Sequence, residues 1–292
     1  MNPNPFIFFT QGGTAYLRDP GVVLLAAPMF CVNAGLRTFL IGLDPEFEIG
    51  YNDFFDARAG VLEQGAAYSF AGEHLVQLAG QLCYLSLGAR RTTVGENATY
   101  LRKILSSGHG SVLEHANYTL LFYGIDRACT HELVRHRAGM AYSQVSQRYV
   151  DGRHLRFCMP FEYQQREELT TSFEKYIDYA ADTYANRTEE LKLVFPQQPG
   201  EVATDWRKRI QSCARECLPN ATEAPIIVTG NARSWRHVLS MRTAKAADVR
   251  IRRPMIRALQ VLQAAAPDLF GDFRTFNLPD GSIGAEAEFP KP

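Results

Sequence analysis

The sequence predicts an α+β fold, with mixed helices packed on a central sheet. Three observations predict it. Apolar residues recur at helical spacing from Glu73, from Asn97 and from Gln165; the run Asn117–Ile125 (NYTLLFYGI) has the β-branched and aromatic composition of a buried strand; and no internal repeat or low-complexity tract joins them.

In chain order, Val22–Ala27 and Thr38–Leu43 are short apolar runs that read as strands, with Asp44-Pro45 and Gly50 as turns. Leu75, Leu78, Ala79 and Leu82 mark the apolar face of a first helix. A second runs from about Asn97, with Leu101, Ile104 and Leu105 inward and Gly108 at its C-terminal cap. Asn117–Ile125 reads as a strand buried on both faces, and Arg127–His136 as a helix. Gln165 to about Leu193 is a long amphipathic helix, with Leu169, Phe173, Tyr176, Ala180, Tyr184 and Leu191 on or near its stripe. After the loop Phe195–Gly200 come helices around Thr204–Cys217 and Arg233–Gln263, the second expected to kink or break at Pro254. The last twenty residues, rich in Gly, Pro and Asp, read as a loose tail.

The 292 residues carry 31 basic and 31 acidic side chains, and 46% are hydrophobic. That balance excludes wholesale disorder and a protein that coats nucleic acid or an anionic membrane by bulk charge. The longest apolar run, Val22–Val32, contains Pro28 and is about half the roughly twenty residues of a membrane span. With no convincing signal peptide, the expected location is cytoplasmic. The cysteines Cys31, Cys83, Cys129, Cys158, Cys213 and Cys217 are dispersed and read as reduced thiols. Only Cys213 and Cys217 have the spacing of half a metal site, and no second half matches them, so no metal is expected.

The chemistry concentrates in His131–Tyr149, HELVRHRAGMAYSQVSQRY. Arg135, His136, Arg137 and Arg148 alternate there with Tyr142, Ser143, Gln144, Ser146 and Gln147. Arginine forks bind phosphates bidentately, and hydroxyls and amides complete the cradle, so the segment suits two anionic ligands side by side. A solvated basic helix end explains the charges, but not the density of hydrogen-bonding side chains.

This segment resembles the signature of the flavin-dependent thymidylate synthases: Arg-His-Arg, seven residues, then Ser, continuing to Arg-Tyr. Here eight residues separate Arg137 from Ser146, the extra one lying within Ala138–Ala141. Gly108–Ala116 (GHGSVLEHA), Arg215 with Cys217-Leu218-Pro219, and Asn231–Arg242 (NARSWRHVLSMR) are similar to three further blocks of the family, in order, over roughly residues 72–273. On this resemblance residues 1–71 form an extension, 72–273 the family domain and 274–292 a tail. It implies the family's fold, a homotetramer with sites shared between subunits, and C5 methylation of dUMP to dTMP. Methylenetetrahydrofolate supplies the carbon, and NADPH the reducing equivalents through bound FAD.

The resemblance assigns Cys83, Ser111, Arg135, His136, Arg137, Gln144, Asn231, Arg233 and His237 to the flavin. It assigns Glu132, Arg135, Gln144, Ser146, Gln147, Arg148, Arg215 and Arg242 to the nucleotide, with Arg242 the catalytic residue at pyrimidine N3. It implies no cysteine nucleophile. Blander readings stand beside these. His109 and His115 suit structural roles, Ser146 suits a cap, Trp235 the core, Cys83 a small buried packing position, and Arg215 an ion pair with Glu216 or Asp248. Lys245-Ala246 and Arg250 depart from the Glu-His and Glu that the family often carries. Two other functions remain open: the same chemistry on UMP or another uracil nucleotide, motivated by the extra residue, and a non-catalytic flavin or nucleotide binder.

Overall fold

The computed structural model describes residues 7–30, 34–43, 71–86 and 97–291. Its elements begin with β1 (Ile7–Phe9), β2 (Ala15–Leu17), β3 (Gly21–Ala26), α1 (Ala34–Leu43), α2 (Ala71–Cys83), α3 (Asn97–Ser107), β4 (Asn117–Tyr123), α4 (Arg127–Leu133) and β5 (Met140–Gln144). There follow β6 (Phe157–Cys158), α5 (Glu167–Val194), α6 (Ala203–Ala214), β7 (Ile226–Asn231), α7 (Ala232–Arg242), α8 (Val249–Ala265), α9 (Pro267–Phe270), β8 (Phe273–Asn277) and β9 (Ile283–Ala287). The expected turns at Asp44-Pro45 and Gly50, and Cys31, lie outside the described residues.

The central sheet has the order β3-β4-β7-β5, each pair antiparallel. The register sets Leu120 against Val228 and Phe122 against Ile226, and this row is buried. Helices α3, α7 and α8 cover it with Leu101, Trp235, Leu239, Met255 and Leu259. Trp235 stacks on Phe122, with ring centroids 6.2 Å apart, and its Nε1–H donates to the Tyr118 carbonyl over 3.1 Å, so it is core as read. The alternate residues of β4, Thr119, Leu121 and Tyr123, are only half-buried. The strand is therefore covered fully on one face rather than on both. β1-β2-β6 forms a smaller sheet, and β8 and β9 a hairpin.

Several elements differ from expectation. Thr38–Leu43 lies in helix α1, where the Thr38 hydroxyl donates to the Ala34 carbonyl one turn back; a short apolar run does not by itself separate strand from helix. Helix α2 turns Glu73, Val76, Gln77 and Gln81 inward and leaves Leu82 exposed, because the Glu73 carboxyl oxygen accepts the Asp268 N–H (2.6 Å) at the start of α9. Along α5 the buried row is Phe173, Ile177, Ala180, Tyr184 and Thr188, whereas Leu169 and Tyr176 are exposed. The expected helix over Arg127–His136 ends at Leu133. The break between α7 and α8 falls at residues 243–248, not at Pro254. Asp248 caps α8 there by accepting the Arg250 N–H, and Pro254, close to that N-terminus, forfeits one helical bond without ending the helix.

The loose tail is in fact the β8–β9 hairpin. The Gly, Pro and Asp residues supply its turn: Gly281 has φ +80°, and Asp280 accepts from the Ser282 N–H and hydroxyl. The hairpin is anchored at its base by a buried ion pair, Arg236 Nη1 to Asp272 Oδ1 at 2.5 Å and Nη2 to Oδ2 at 2.8 Å. No helix among the described residues is long and apolar enough to cross a membrane.

Candidate active site

Helix α4 delivers the motif. Asp126 caps it, accepting the Cys129 N–H at 2.9 Å, and the chain leaves it through a turn that carries Arg135, His136 and Arg137. The Tyr142 hydroxyl closes that turn on the carbonyls of Leu133 (3.0 Å) and His136 (2.5 Å); burial pushes its pKa up to about 12, so it stays a donor. The loop with the extra residue is pinned to the start of α7, where the Ser234 hydroxyl donates to the Ala138 carbonyl at 2.9 Å. Gly139 sits there at φ +68°, and a Cβ would come within 2.2 Å of Ser234 Oγ. Edge strand β5 then leads to the turn at 147–149, in which the Arg148 N–H bonds Ser146 Oγ (3.3 Å), as the capping reading of Ser146 expects.

Against this segment stands Arg242, the last residue of α7. Its Nη1 meets Glu132 Oε2 at 2.8 Å, and its Nε donates to His136 Nε2 at 2.8 Å. The His237 ring lies edge-on to His136 with centroids 6.0 Å apart. Burial, then the charge of Arg242, then His237, bring the His136 pKa down to about 4. His136 is thus neutral at pH 7. Because Nε2 accepts, its proton belongs on Nδ1.

The expected residues divide into those the fold gathers and those it does not. Glu132, His136, His237 and Arg242 form one cluster. Asn231 caps α7 by accepting the Ser234 N–H at 2.9 Å, and Gln144 is half-buried on β5. Arg233 pairs with Glu114 (2.7 Å), whose block carries the exposed Ser111. Gln147 is buried with its Nε2 unpartnered. The side chains of Arg135, Arg137, Arg148 and Arg215 have no hydrogen-bond or ion-pair partner among the described residues. Arg215 therefore pairs with neither Glu216 nor Asp248, and it makes no hydrogen bond or ion pair with the cluster. Cys83 is exposed at the end of α2, not packed inside, and His109 and His115 are exposed rather than structural.

Among the described cysteines, burial pushes the thiols of Cys129, Cys158 and Cys217 up, away from the reactive thiolate. No group of three or more His, Cys, Asp or Glu among the described residues could hold a metal ion. A cavity of about 120 Å³ lies elsewhere, between the starts of α4 and α8, and none of the cluster lines it. Sequence reading missed Glu114 as a partner, although it stands inside a quoted block. It also missed the contact of Arg250 with Asp126 at 2.7 Å.

Comparison with known proteins bears on this geometry. The family described as "Thymidylate synthase complementing protein" matches residues 66–268. A flavin-dependent thymidylate synthase of Mycobacterium tuberculosis is 43% identical over 211 residues, 72% of this chain and 83% of that protein. One of Mycobacterium marinum is 44% identical over the same shares. Among solved structures, the UMP/dUMP methylase PolB from Streptomyces cacaoi, bound with 5-Br UMP, aligns with a TM-score of 0.54 over 87% of this chain and 93% of its own, at 17% identity. That likeness is one of fold. The chain belongs to the flavin-dependent thymidylate synthase family.

Proposed function

We propose that this chain methylates C5 of dUMP to give dTMP, with FAD as bound cofactor and methylenetetrahydrofolate and NADPH as co-substrates. The observation that carries the reading is a guanidinium, Arg242, held by Glu132 and His136 of a segment whose Arg135, Arg137 and Arg148 have no acidic partner among the described residues. Unpaired guanidiniums are what diphosphate and monophosphate ligands require. Arg135, Arg137, Asn231, Arg233 and His237, with Ser111, Gln144 and Cys83, fit the flavin. Arg148, Ser146, Gln147 and Arg215 fit the nucleotide. The buried, unpartnered Nε2 of Gln147 is a donor that a bound ligand would satisfy.

When bound, FAD would supply the relay of reducing equivalents from NADPH. The chain's own residues bind and polarise. Arg242 at the N3 edge of the pyrimidine favours its electron-rich, enolate-like form and so raises nucleophilicity at C5. Glu132 and neutral His136 hold that guanidinium by two of its nitrogens. Arg148 and Arg215 bind phosphate.

The reading extends to assembly. Arg215 makes no hydrogen bond or ion pair with the cluster within one chain, which fits a homotetramer whose sites combine residues of different subunits. Residues 72–273 are the unit proposed to carry the activity, in the cytoplasm. The test is direct. Purified protein should be yellow or take up FAD on titration, should scatter light as a tetramer, and should turn over dUMP in preference to UMP. A protein that takes up no flavin overturns the reading; turnover of UMP alone reassigns the nucleotide.

A further inference from the structure

We propose that Arg250, which belongs to neither set of proposed ligand residues, is a positioning residue for the methylation site, acting through Asp126 on helix α4; this rests on the methylation reading above. Helix α4 is gripped at both ends by the same stretch of chain. Arg242, closing α7, holds Glu132 near the C-terminal end, and Arg250, in the first turn of α8, holds Asp126 at the N-terminal cap (Nη1 to Oδ2, 2.7 Å).

A grip sets geometry only if the hand is rigid, and the corner between α7 and α8 is held from several sides. The Thr243 hydroxyl donates to the Ala285 carbonyl at 2.8 Å, and the Ala285 N–H donates to the Thr243 carbonyl at 2.9 Å. Arg252, almost wholly buried, donates to the carbonyls of Lys245 (3.2 Å) and Ala247 (2.6 Å) and to Asp280 and Ser282 of the hairpin turn (2.7 Å each). The β8–β9 hairpin thereby fixes the spacing between Arg242 and Arg250.

Asp126 suits the other end of this device. Its side chain is 4% exposed, one oxygen caps α4 at Cys129, and the other meets Arg250. Burial pushes its carboxyl up, against the bonds from Cys129 and the charge of Arg250, so the ionised cap depends on that guanidinium. Without Arg250 the cap weakens. The turn that carries Glu132, Arg135 and His136 then loses its register against Arg242, and a displacement of about an ångström in such a group is enough to slow turnover severely.

The test compares Arg250→Met, Arg250→Lys and the double variant Arg250→Met with Asp126→Asn. It measures FAD content, hydrogen exchange of the α4 segment, and kcat and KM for dUMP per bound FAD. We expect Arg250→Met to retain FAD, to exchange faster at residues 127–137, and to lose roughly tenfold in kcat with KM changed far less. Arg250→Lys should recover most of the loss. The double variant should also recover, because an asparagine at the cap position accepts the same N–H without a buried charge. Unchanged exchange at 127–137, or a kcat per bound FAD within about twofold of wild type, overturns the proposal. If Arg250→Met does not fold, Arg250→Gln, which likewise removes the charge, decides by the same two readouts. A wild type that turns over neither dUMP nor UMP refutes methylation alone; exchange at 127–137 and FAD content then judge the tether.

Discussion

Arg242 donates through Nε to His136 Nε2 at 2.8 Å, across 106 residues of sequence. The bond requires a neutral imidazole, and the arginine's own charge helps keep it neutral. Proton uptake at His136 and a correctly aimed guanidinium therefore exclude each other.

The first prediction follows from the sign of that linkage. The folded pKa of His136, about 4, is below the unfolded value of about 6.5, so protons favour the unfolded chain. The contribution is intact above about pH 6.5 and is lost as pH falls towards 4. His136→Gln, which keeps an acceptor but cannot titrate there, should show a flatter decline in urea midpoint between pH 7 and pH 5 than wild type. Parallel declines would refute the assignment.

Glu73 should behave in the opposite sense. Its carboxyl is buried beside Asp268, and burial first, then that charge, raise its pKa to about 8 against the N–H bonds from Asp268 and Leu269. The fold thus holds a proton that the unfolded chain releases near pH 4.5, and stability falls as pH rises through that window to about 8. Glu73→Gln keeps the acceptor for the Asp268 N–H and should be more stable than wild type at pH 9, with a smaller gain at pH 6. An equal difference at both pH values would show that Glu73 ionises normally.

Arg242 and Arg148 should separate kinetically. Arg242→Lys keeps the charge but loses the planar fork, and should lower turnover by roughly a hundredfold or more with FAD content intact. Arg148→Ala should chiefly raise KM for the nucleotide, since phosphate binding is shared by ground and transition states. Normal turnover in Arg242→Lys, with a loss of turnover alone in Arg148→Ala, would reverse the two roles.

No thiol should prove essential. With the thiols of Cys129 and Cys158 buried and pushed up, and Cys83 and Cys213 exposed, single replacements of Cys83, Cys129, Cys158, Cys213 and Cys217 by Ala should leave methylation measurable. The count is per folded molecule, because the two buried sites will lose stability. A replacement that abolishes turnover while FAD and nucleotide still bind would identify a nucleophile.

What could be read beforehand was local. The helix at Asn97 announces itself by Leu101, Ile104 and Leu105 and stops at Gly108, which takes φ +72°. The motif of residues 131–149 is legible because its charges and amides are consecutive. Contacts between distant residues were not: Arg242 with Glu132 spans 110 residues, and Arg250 with Asp126 spans 124, with nothing local to mark either pairing. The hairpin was hidden by its own turn, since Pro279, Asp280 and Gly281 signal flexibility when the flanking strands are short. Helix α2 misled because an apolar stripe is the ordinary guide to the inner face, and here a buried carboxyl group with a backbone partner overrides it.

The hairpin that clasps the corner is also made later than the side chains it holds in place. Translation delivers Arg242, Glu132 and His136 before residues 280–285, which lock Thr243 and Arg252, have been polymerised. A nascent chain therefore possesses every proposed site side chain before it possesses the geometry to use them, and maturation awaits strand β9. Ribosomal pausing or premature termination within β9 should yield a protein that contains the motif in full and lacks a working arginine.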